Sequence, residues 1–298
     1  CAARDLATWA APQAFANGTP WVLFLLTLLA LGLSLPWLLR HLWDTRPLGK
    51  GGLRDRLEAA GHRLQVSSPQ ILIWRTKGRV VNAAVTGILP RWRYVLLSDG
   101  LLQRLTDDQV VAMYRHELGH VRYGHPQLRL LALAAPLAAW QTVIWLLPEP
   151  VANLTGRLAE LSGGQWLSAV GLPLAAFSLY GLTFFSWYSR MMELQADLCA
   201  CGVTLSPREQ RERQSGTSEE EFRQFASTLY RLTQIHGQRS GGGGLLHPTM
   251  HDRIRFVRQA IRNPQTLAHF HKRMRRIAIC LAATVMAGIL VPLVTCWT

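Results

Sequence analysis

Residues 106–124, TDDQVVAMYRHELGHVRYG, carry a complete set of helix signals. Thr106 and Gln109, three residues apart, have the spacing of a capping box, and the two aspartates between them fall in the first turn, where they favour the helix dipole. Gly124 is typical of the residue just past a helix end. The pattern predicts a helix over residues 107 to about 123.

The predicted helix carries His116-Glu117-Leu118-Gly119-His120. Histidines four residues apart project from one helical face, so both imidazoles can reach a single zinc ion at about 2.0–2.1 Å. Glu117 then lies beside the open coordination position, where a carboxylate can take a proton from a water whose pKa the metal lowers to about 7. The string alone is moderately specific, and its place on a capped helix strengthens the hypothesis of a zinc site.

Two histidines leave such a site incomplete, because catalytic zinc sites use three protein ligands and keep the fourth position for water. The segment Met191-Met192-Glu193-Leu194-Gln195-Ala196-Asp197 places Glu193 and Asp197 four apart, hence on one helical face. Glu193 is the candidate third ligand, and Asp197 is the candidate acceptor of a hydrogen bond from a histidine ring nitrogen. The alternative is a solvated acidic helix face.

Short β-rich runs precede the zinc-motif helix at residues 71–74, 80–85 and 94–97. Together with the turn residues 76–79 they predict a small antiparallel sheet. Further along the chain, residues 206–221 are polar and charged and residues 241–244 are all glycine. Both segments are predicted to be mobile loops.

Charge is distributed in blocks along the 298 residues. Of the 32 Lys and Arg, 15 lie at positions 40–129 and 15 at positions 190–276. The formal net charge of +14 would suit nucleic acid, but no recognition module accompanies it. Basic blocks alternating with uncharged ones are typical of a multispanning membrane protein. We therefore expect a lipid bilayer, and no nucleic acid, as a partner.

Four uncharged runs are long enough to cross about 30 Å of hydrocarbon. The positive-inside rule puts both basic blocks on the cytoplasmic side. The second run is short and contains Gln141, so a buried core helix, or a re-entrant hairpin with the third run, is the alternative. The predicted organisation is an N-terminal segment 1–20, spans at 21–39, 130–147, 161–189 and 277–298, cytoplasmic blocks 40–129 (sheet and zinc-motif helix) and 190–276 (third-ligand helix), and an extracytoplasmic loop 148–160.

Five cysteines occur in the chain, and they do not suggest a disulfide framework. Cys199 and Cys201 fall in a block predicted to be cytoplasmic and reducing, and their spacing on a helix points them to different faces. We expect both to be small buried hydrophobic residues rather than metal ligands.

At these motifs the chain resembles the HtpX-like and CAAX prenyl protease type 1 family of integral-membrane zinc endopeptidases. The four-span count is more similar to the HtpX branch than to the seven-span prenyl protease branch. The Gly-rich stretch before His247 fits neither branch closely. The resemblance is carried by His-Glu-Leu-Gly-His at 116–120, Ser189-Arg190 through Glu193 to Ala196-Asp197, His247-Pro248 through Arg253-Ile254 and, more weakly, Asn82-Ala83 with the following segment to Asp99.

The resemblance implies an α-helical membrane protein with about four transmembrane helices and a cytoplasmic zincin-like α+β metallopeptidase domain, in a bacterial inner membrane. One Zn²⁺ per chain would be bound by His116, His120 and Glu193. Glu117 would act as general base and acid on protein or peptide substrates.

The remaining residues of the resemblance would support this chemistry. The strand at Asn82 and Ala83 would bind the substrate backbone by strand addition. His247 would donate to the developing oxyanion, or alternatively form a structural His-Pro turn. Arg190 and Arg253 would be ion-pair partners of local acids.

Three functions follow from these observations. The first is a membrane-embedded endopeptidase acting on membrane or misfolded proteins. The second is a processing peptidase restricted to C-terminal prenyl motifs or to a signalling substrate. The third is a catalytically silent scaffold with a structural zinc, which the presence of Glu117 disfavours because structural sites are usually closed by four protein ligands.

Overall fold

The computed structural model describes residues 19–66, 70–162, 171–203, 217–237 and 244–295, and these form a mostly helical chain with one small sheet. The helices are α1 (Thr19–Leu42), α2 (Gly52–Arg63), α3 (Asp99–Arg104), α4 (Asp107–Arg122), α5 (His125–Leu146), α6 (Pro148–Ser162), α7 (Leu172–Tyr180), α8 (Ser186–Ala200), α9 (Thr217–Ile235), α10 (Met250–Arg262) and α11 (Pro264–Thr295). The strands are β1 (Thr45–Pro47), β2 (Gln70–Trp74), β3 (Ala83–Thr86) and β4 (Tyr94–Ser98).

The chain divides into two compact units. The first combines residues 1–31, 128–186 and 275–298. The second combines residues 32–127 and 187–274, and it contains the sheet, the zinc-motif helix and the candidate third-ligand helix.

The sheet of the second unit has the strand order β1-β2-β4-β3. β2 and β4 are parallel, while β1 pairs with β2 and β3 pairs with β4 in antiparallel fashion. The predicted all-antiparallel sheet is therefore wrong: β4 separates β2 from β3. Every residue of β4 is buried, which suits a central strand covered on both faces.

The turn predicted at residues 76–79 is present, but it does not close a hairpin. Lys77 and Gly78 have φ of 58° and 69°, and the amide of Arg79 donates to the carbonyl of Thr76 at 3.3 Å. The amide and hydroxyl of Thr76 both donate to Asp99, which comes directly after β4. The turn is thus held against the end of β4, and β3 enters the sheet on the far side of that strand.

Helix α4 forms as its signals predict. Thr106 accepts a hydrogen bond from the amide of Gln109, and the Gln109 side chain accepts one from the amide of Thr106, so the capping box is complete. The helix ends at Arg122, and Gly124 follows in the left-handed conformation with φ of 65°. Its apolar face packs with α2 and the sheet in one buried cluster that includes Leu57, Val95 and Leu118.

Part of the segment predicted to be a mobile loop is ordered against α4. α9 begins at Thr217, so residues 217–221 are helical, whereas residues 204–216 and 241–243 lie outside the described residues. Arg115 on α4 and Glu221 on α9 form an ion pair of 3.0 Å with both side chains largely buried. Of this polar segment, the described residues 217–221 thus belong to a helix that makes a buried ionic contact with α4.

In the first unit, α11 and α5 approach closely through small residues. A Cβ added to Gly288 would lie 2.8 Å from Cα, Cβ and the carbonyl oxygen of Ala138. The Tyr180 hydroxyl donates to the carbonyl of Ala132 at 2.7 Å. Residues 148–160, expected as a loop, are helical within α6.

Two helices among the described residues have the length and apolar composition needed to span a bilayer, His125–Leu146 and Pro264–Val291. A shorter apolar helical stretch is Leu29–Leu42. Cys199 and Cys201 are buried, as predicted, and neither forms a disulfide bond.

Candidate metal centre

The metal-site candidates meet because α4 and α8 approach each other almost backbone to backbone. A Cβ added to Gly119 would lie 2.8 Å from Cα and 3.0 Å from the carbonyl oxygen of Ala196, and 3.1 Å from Cβ of Cys199. Such distances leave no room for a side chain at position 119. The glycine inside the histidine motif therefore permits the helix spacing that brings Glu193 to the two histidines.

The three candidate ligands form a tight triangle of donor atoms. Nε2 of His116 and Nε2 of His120 are 3.2 Å apart, and each lies 3.5 Å from one oxygen of the Glu193 carboxylate. All three side chains are buried. Two nitrogens bound to one tetrahedral zinc at about 2.0–2.1 Å are separated by roughly 3.3 Å. The spacing and the His₂-carboxylate donor set both fit a catalytic zinc ion.

Asp197 orients the first of these histidines. Its Oδ1 lies 2.9 Å from Nδ1 of His116, and its carboxylate receives Nε and Nη2 of Arg253 at 2.8 and 2.5 Å. A proton held on Nδ1 leaves Nε2 of His116 with its lone pair directed at the candidate metal position. Arg190, by contrast, is exposed and forms no ion pair within the described part of the chain.

The electrostatics of the site keep its carboxylates ionised. Burial alone would raise the pKa of Glu193, but hydrogen bonds from His116 and His247 outweigh burial and hold that pKa well below its ordinary value. Burial likewise opposes ionisation of Asp197, and the charge of Arg253 lowers its pKa. An ionised Glu193 is the form that binds a metal ion.

Glu117 contacts the edge of the sheet. Its Oε2 accepts the amide of Val85 on β3 at 2.8 Å. β3 pairs only with β4 among the described strands, so its other side is an open edge. The candidate general base is thus hydrogen-bonded directly to that edge.

The orientation of β3 differs from the prediction in one respect. The carbonyl of Asn82 accepts the amide of Ser98, and the amide of Asn82 donates to the Ser98 hydroxyl. The main chain of Asn82 therefore faces β4. Because antiparallel pairs alternate, the backbone groups of Ala83 and Val85 face the open edge. Of the two residues predicted to bind the substrate, Ala83 has its main-chain groups at the open edge. The main chain of Asn82 faces β4, so only its exposed side chain is available.

His247 lies at the mouth of the site. Its Nδ1 is 3.1 Å from Oε2 of Glu193, and its side chain is 64% exposed. It precedes α10, whose N-cap residue Thr249 accepts a hydrogen bond from the amide of Asp252. The structure therefore places His247 in contact with the candidate ligand set and within reach of solvent.

Sequence reasoning missed three contributors to this site: Gly119, the amide of Val85, and His125, which hydrogen-bonds His120. Gly119 had a signal in the sequence, because each of the two motifs contains a small residue, Gly119 in one and Ala196 in the other. Small residues are what two closely approaching helices require. His125 follows the helix end at Gly124, but its burial and partners depend on tertiary contacts that its sequence neighbourhood does not reveal.

A His-Glu-x-x-His helix with a carboxylate donor from a second helix is the arrangement found in one class of metallopeptidases. The chain belongs to peptidase family M48, whose family model matches residues 47–261. The resemblance drawn from the motifs is thereby confirmed.

Relatives of known name support the same assignment. The chain is 29% identical over 215 residues to a Protease HtpX homolog from Aeropyrum pernix, covering 68% of this chain and 65% of that protein. It is 26% identical over 231 residues to Protease HtpX from Xanthomonas axonopodis pv. citri, covering 70% of each. The crystal structure of S. mikatae Ste24p has a TM-score of 0.55 at 18% identity, over 79% of this chain and 56% of that one, which is a likeness of fold.

The close contact at Gly119 predicts that Gly119→Ala separates the two ligand-bearing helices. We expect overpacking to lower the free energy of unfolding by about 1–3 kcal/mol and to weaken Zn²⁺ binding, measured by chelator competition. Gly61→Ala is the matched control, because a Cβ there meets its neighbours at an ordinary 3.8–3.9 Å. A Gly119→Ala protein that binds Zn²⁺ as tightly as the parent would show that the contact does not set the ligand geometry.

Proposed function

We propose that the chain is a zinc-dependent endopeptidase with one Zn²⁺ bound by His116, His120 and Glu193. The observation that carries the proposal is the triangle of buried donor atoms, with separations of 3.2, 3.5 and 3.5 Å. Glu117, next to the first ligand in sequence, is the general base. Its burial beside an open sheet edge favours a catalytic site over a structural one.

The reaction divides between the ion and the side chains around it. When bound, zinc supplies a Lewis acid that polarises the scissile carbonyl and makes a water molecule more acidic. Glu117 takes the proton of the attacking water and passes it to the leaving amine. His247, at the exposed mouth of the site, donates a hydrogen bond to the negative charge that develops on the carbonyl oxygen.

The substrate is an extended polypeptide that adds a strand to β3. Ala83 and Val85 turn their main-chain groups toward the open edge, and main-chain hydrogen bonds accept many side-chain sequences. The base is linked to the same edge through the amide of Val85. This arrangement favours unfolded or membrane-protein segments as substrates over a single short recognition sequence.

We further propose that the chain is an integral membrane protein with about four spans and a cytoplasmic active site, in a bacterial inner membrane. Supporting this are large apolar side chains that are exposed on α1, α5, α7 and α11, among them Trp37, Leu146, Leu174 and Ile279. Many large apolar side chains exposed on long helices favour a membrane or a protein interface. The basic blocks flanking the apolar runs set the orientation.

Glu117→Gln should keep one Zn²⁺ per chain and lose peptidase activity, because an amide retains the size of the side chain but cannot accept the proton. Removal of a general base lowers kcat by about 10²–10⁴-fold. The measurement is cleavage of an unfolded model protein by the detergent-purified chain, with metal content determined in parallel. Full activity of Glu117→Gln would refute the role of base, and loss of zinc from the variant would assign Glu117 a structural role.

Glu193→Ala should lower the zinc content well below one per chain, because two histidines alone leave a three-ligand site incomplete. Glu160→Ala, which removes an exposed glutamate in the other unit, is the matched control and should retain stoichiometric zinc. Metal analysis after dialysis distinguishes the two. Stoichiometric zinc in Glu193→Ala would exclude Glu193 as the third ligand.

The four-span arrangement predicts that His62 and Gly156 lie on opposite sides of the membrane. Each position is exposed and accepts a single cysteine, in a background whose own cysteines are replaced by serine. A membrane-impermeant maleimide applied to intact cells should label Gly156→Cys and should label His62→Cys only after permeabilisation. Labelling of both positions from one side would contradict the arrangement.

A further inference from the structure

The second candidate ligand is the start of a chain of hydrogen bonds that the proposed reaction does not use. Nδ1 of His120 lies 2.7 Å from Nδ1 of His125. Nε2 of His125 lies 3.1 Å from Oε1 of Gln195, and Nε2 of Gln195 lies 2.9 Å from Nδ1 of His271. Four helices, α4, α5, α8 and α11, each contribute one member.

This hydrogen-bond chain runs through the interior of the second unit. His120, His125 and Gln195 are buried, and His125 has no exposed surface. The ring of Tyr123 packs on two of the histidines, with centroids 5.9 Å from that of His125 and 5.4 Å from that of His271. Buried polar groups are expensive to leave unpaired, so each member depends on its neighbour to remain satisfied.

Metal binding by His120 fixes which group is the donor and which is the acceptor in each of these hydrogen bonds. If Nε2 of His120 binds the ion, its proton is on Nδ1, and that N–H must donate to Nδ1 of His125. His125 then carries its proton on Nε2 and donates to the Gln195 oxygen. The Gln195 amide in turn donates to Nδ1 of His271. No other arrangement of protons satisfies all three contacts and leaves Nε2 of His120 available.

We infer that His125, Gln195 and His271 are positioning residues, which fix the tautomer and the ring orientation of His120 for zinc. The inference rests on the proposed zinc site and extends it. It also separates the roles of the two histidine ligands. His116 is supported by the carboxylate of Asp197, whereas His120 is supported by neutral groups.

The difference has a chemical consequence. A carboxylate partner raises the basicity of a metal-bound imidazole, while a neutral acceptor orients the ring with less transfer of electron density. With Glu193 already an anionic ligand, neutral support for His120 preserves positive charge at the metal position. That charge is what polarises a scissile carbonyl.

Three variants of the full chain test the inference through metal binding rather than turnover. His125→Phe keeps a ring but has neither donor nor acceptor, and it should weaken Zn²⁺ affinity about 10–100-fold, in the range of lost support for a ligand. His125→Gln offers both an acceptor oxygen and a donor N–H, and it should recover most of that affinity. Gln195→Leu removes the next member and should weaken binding less than His125→Phe.

Chelator competition gives the Zn²⁺ affinities, and the visible spectrum of the Co²⁺-substituted protein reports the ligand geometry. We expect a shifted spectrum for His125→Phe and a parent-like one for His125→Gln. Gln141→Leu is the matched control, because it replaces a buried glutamine that takes no part in this hydrogen-bond chain. It should leave both the Zn²⁺ affinity and the Co²⁺ spectrum unchanged. Thermal unfolding of the metal-free proteins identifies any variant that fails to fold.

The outcomes separate this inference from the zinc site itself. Parent-like Zn²⁺ binding by His125→Phe would overturn the positioning role while leaving the zinc site intact. Equal losses in His125→Phe and His125→Gln, with folded proteins, would also overturn it, because packing rather than hydrogen bonding would then be responsible. A folded parent chain that binds neither Zn²⁺ nor Co²⁺ would refute the proposed function and the inference together.

Discussion

The near contact of two helix backbones at Gly119 and Ala196 is the constraint on which the candidate site depends. His116 and His120 lie on one helix, so their relative position follows from helix geometry alone. The position of Glu193 does not, because it belongs to a second helix whose distance from the first is set by what lies between them. A glycine facing an alanine removes the side chains that would hold the helices apart. The carboxylate can therefore approach both ring nitrogens.

Once the helices are this close, the buried charges must balance. Glu193 and Asp197 bring two carboxylates into the interior, and the guanidinium of Arg253 neutralises one of them through two hydrogen bonds. Removing ions from water is costly, so buried charges persist only when paired and hydrogen-bonded. The remaining carboxylate, on Glu193, faces the two histidine nitrogens. The negative charge of Glu193 thus lies beside both candidate histidine ligands, where a cation would bind.

Local signals accounted for the part of the site that a single helix determines. The capping box at Thr106, the end at Gly124 and the four-residue histidine spacing are all short-range features, and the structure bears out this helix. The sheet order could not be read in the same way, because the parallel pairing of β2 with β4 joins residues about 24 positions apart, such as Gln70 and Tyr94, and no local pattern determines it. The hydrogen-bond chain that links His120 to His271 is even less local, because each of its members comes from a different helix.

The alternation of β3 decides where the proposed substrate strand would lie. The main-chain groups of Asn82 are hydrogen-bonded to Ser98 on β4. The main-chain groups that face the open edge therefore belong to Ala83 and Val85. The amide of Val85 also donates to Glu117, which holds the proposed general base at one position on the edge. An added strand can shift only in steps of two residues while keeping its hydrogen bonds, a displacement of about 6.8 Å. Such a step would move one peptide bond away from Glu117 and the ligand triangle and bring the bond two residues along into its place. Under the proposed strand addition, the edge would therefore present peptide bonds to Glu117 at two-residue intervals, whatever the side chains of the peptide are.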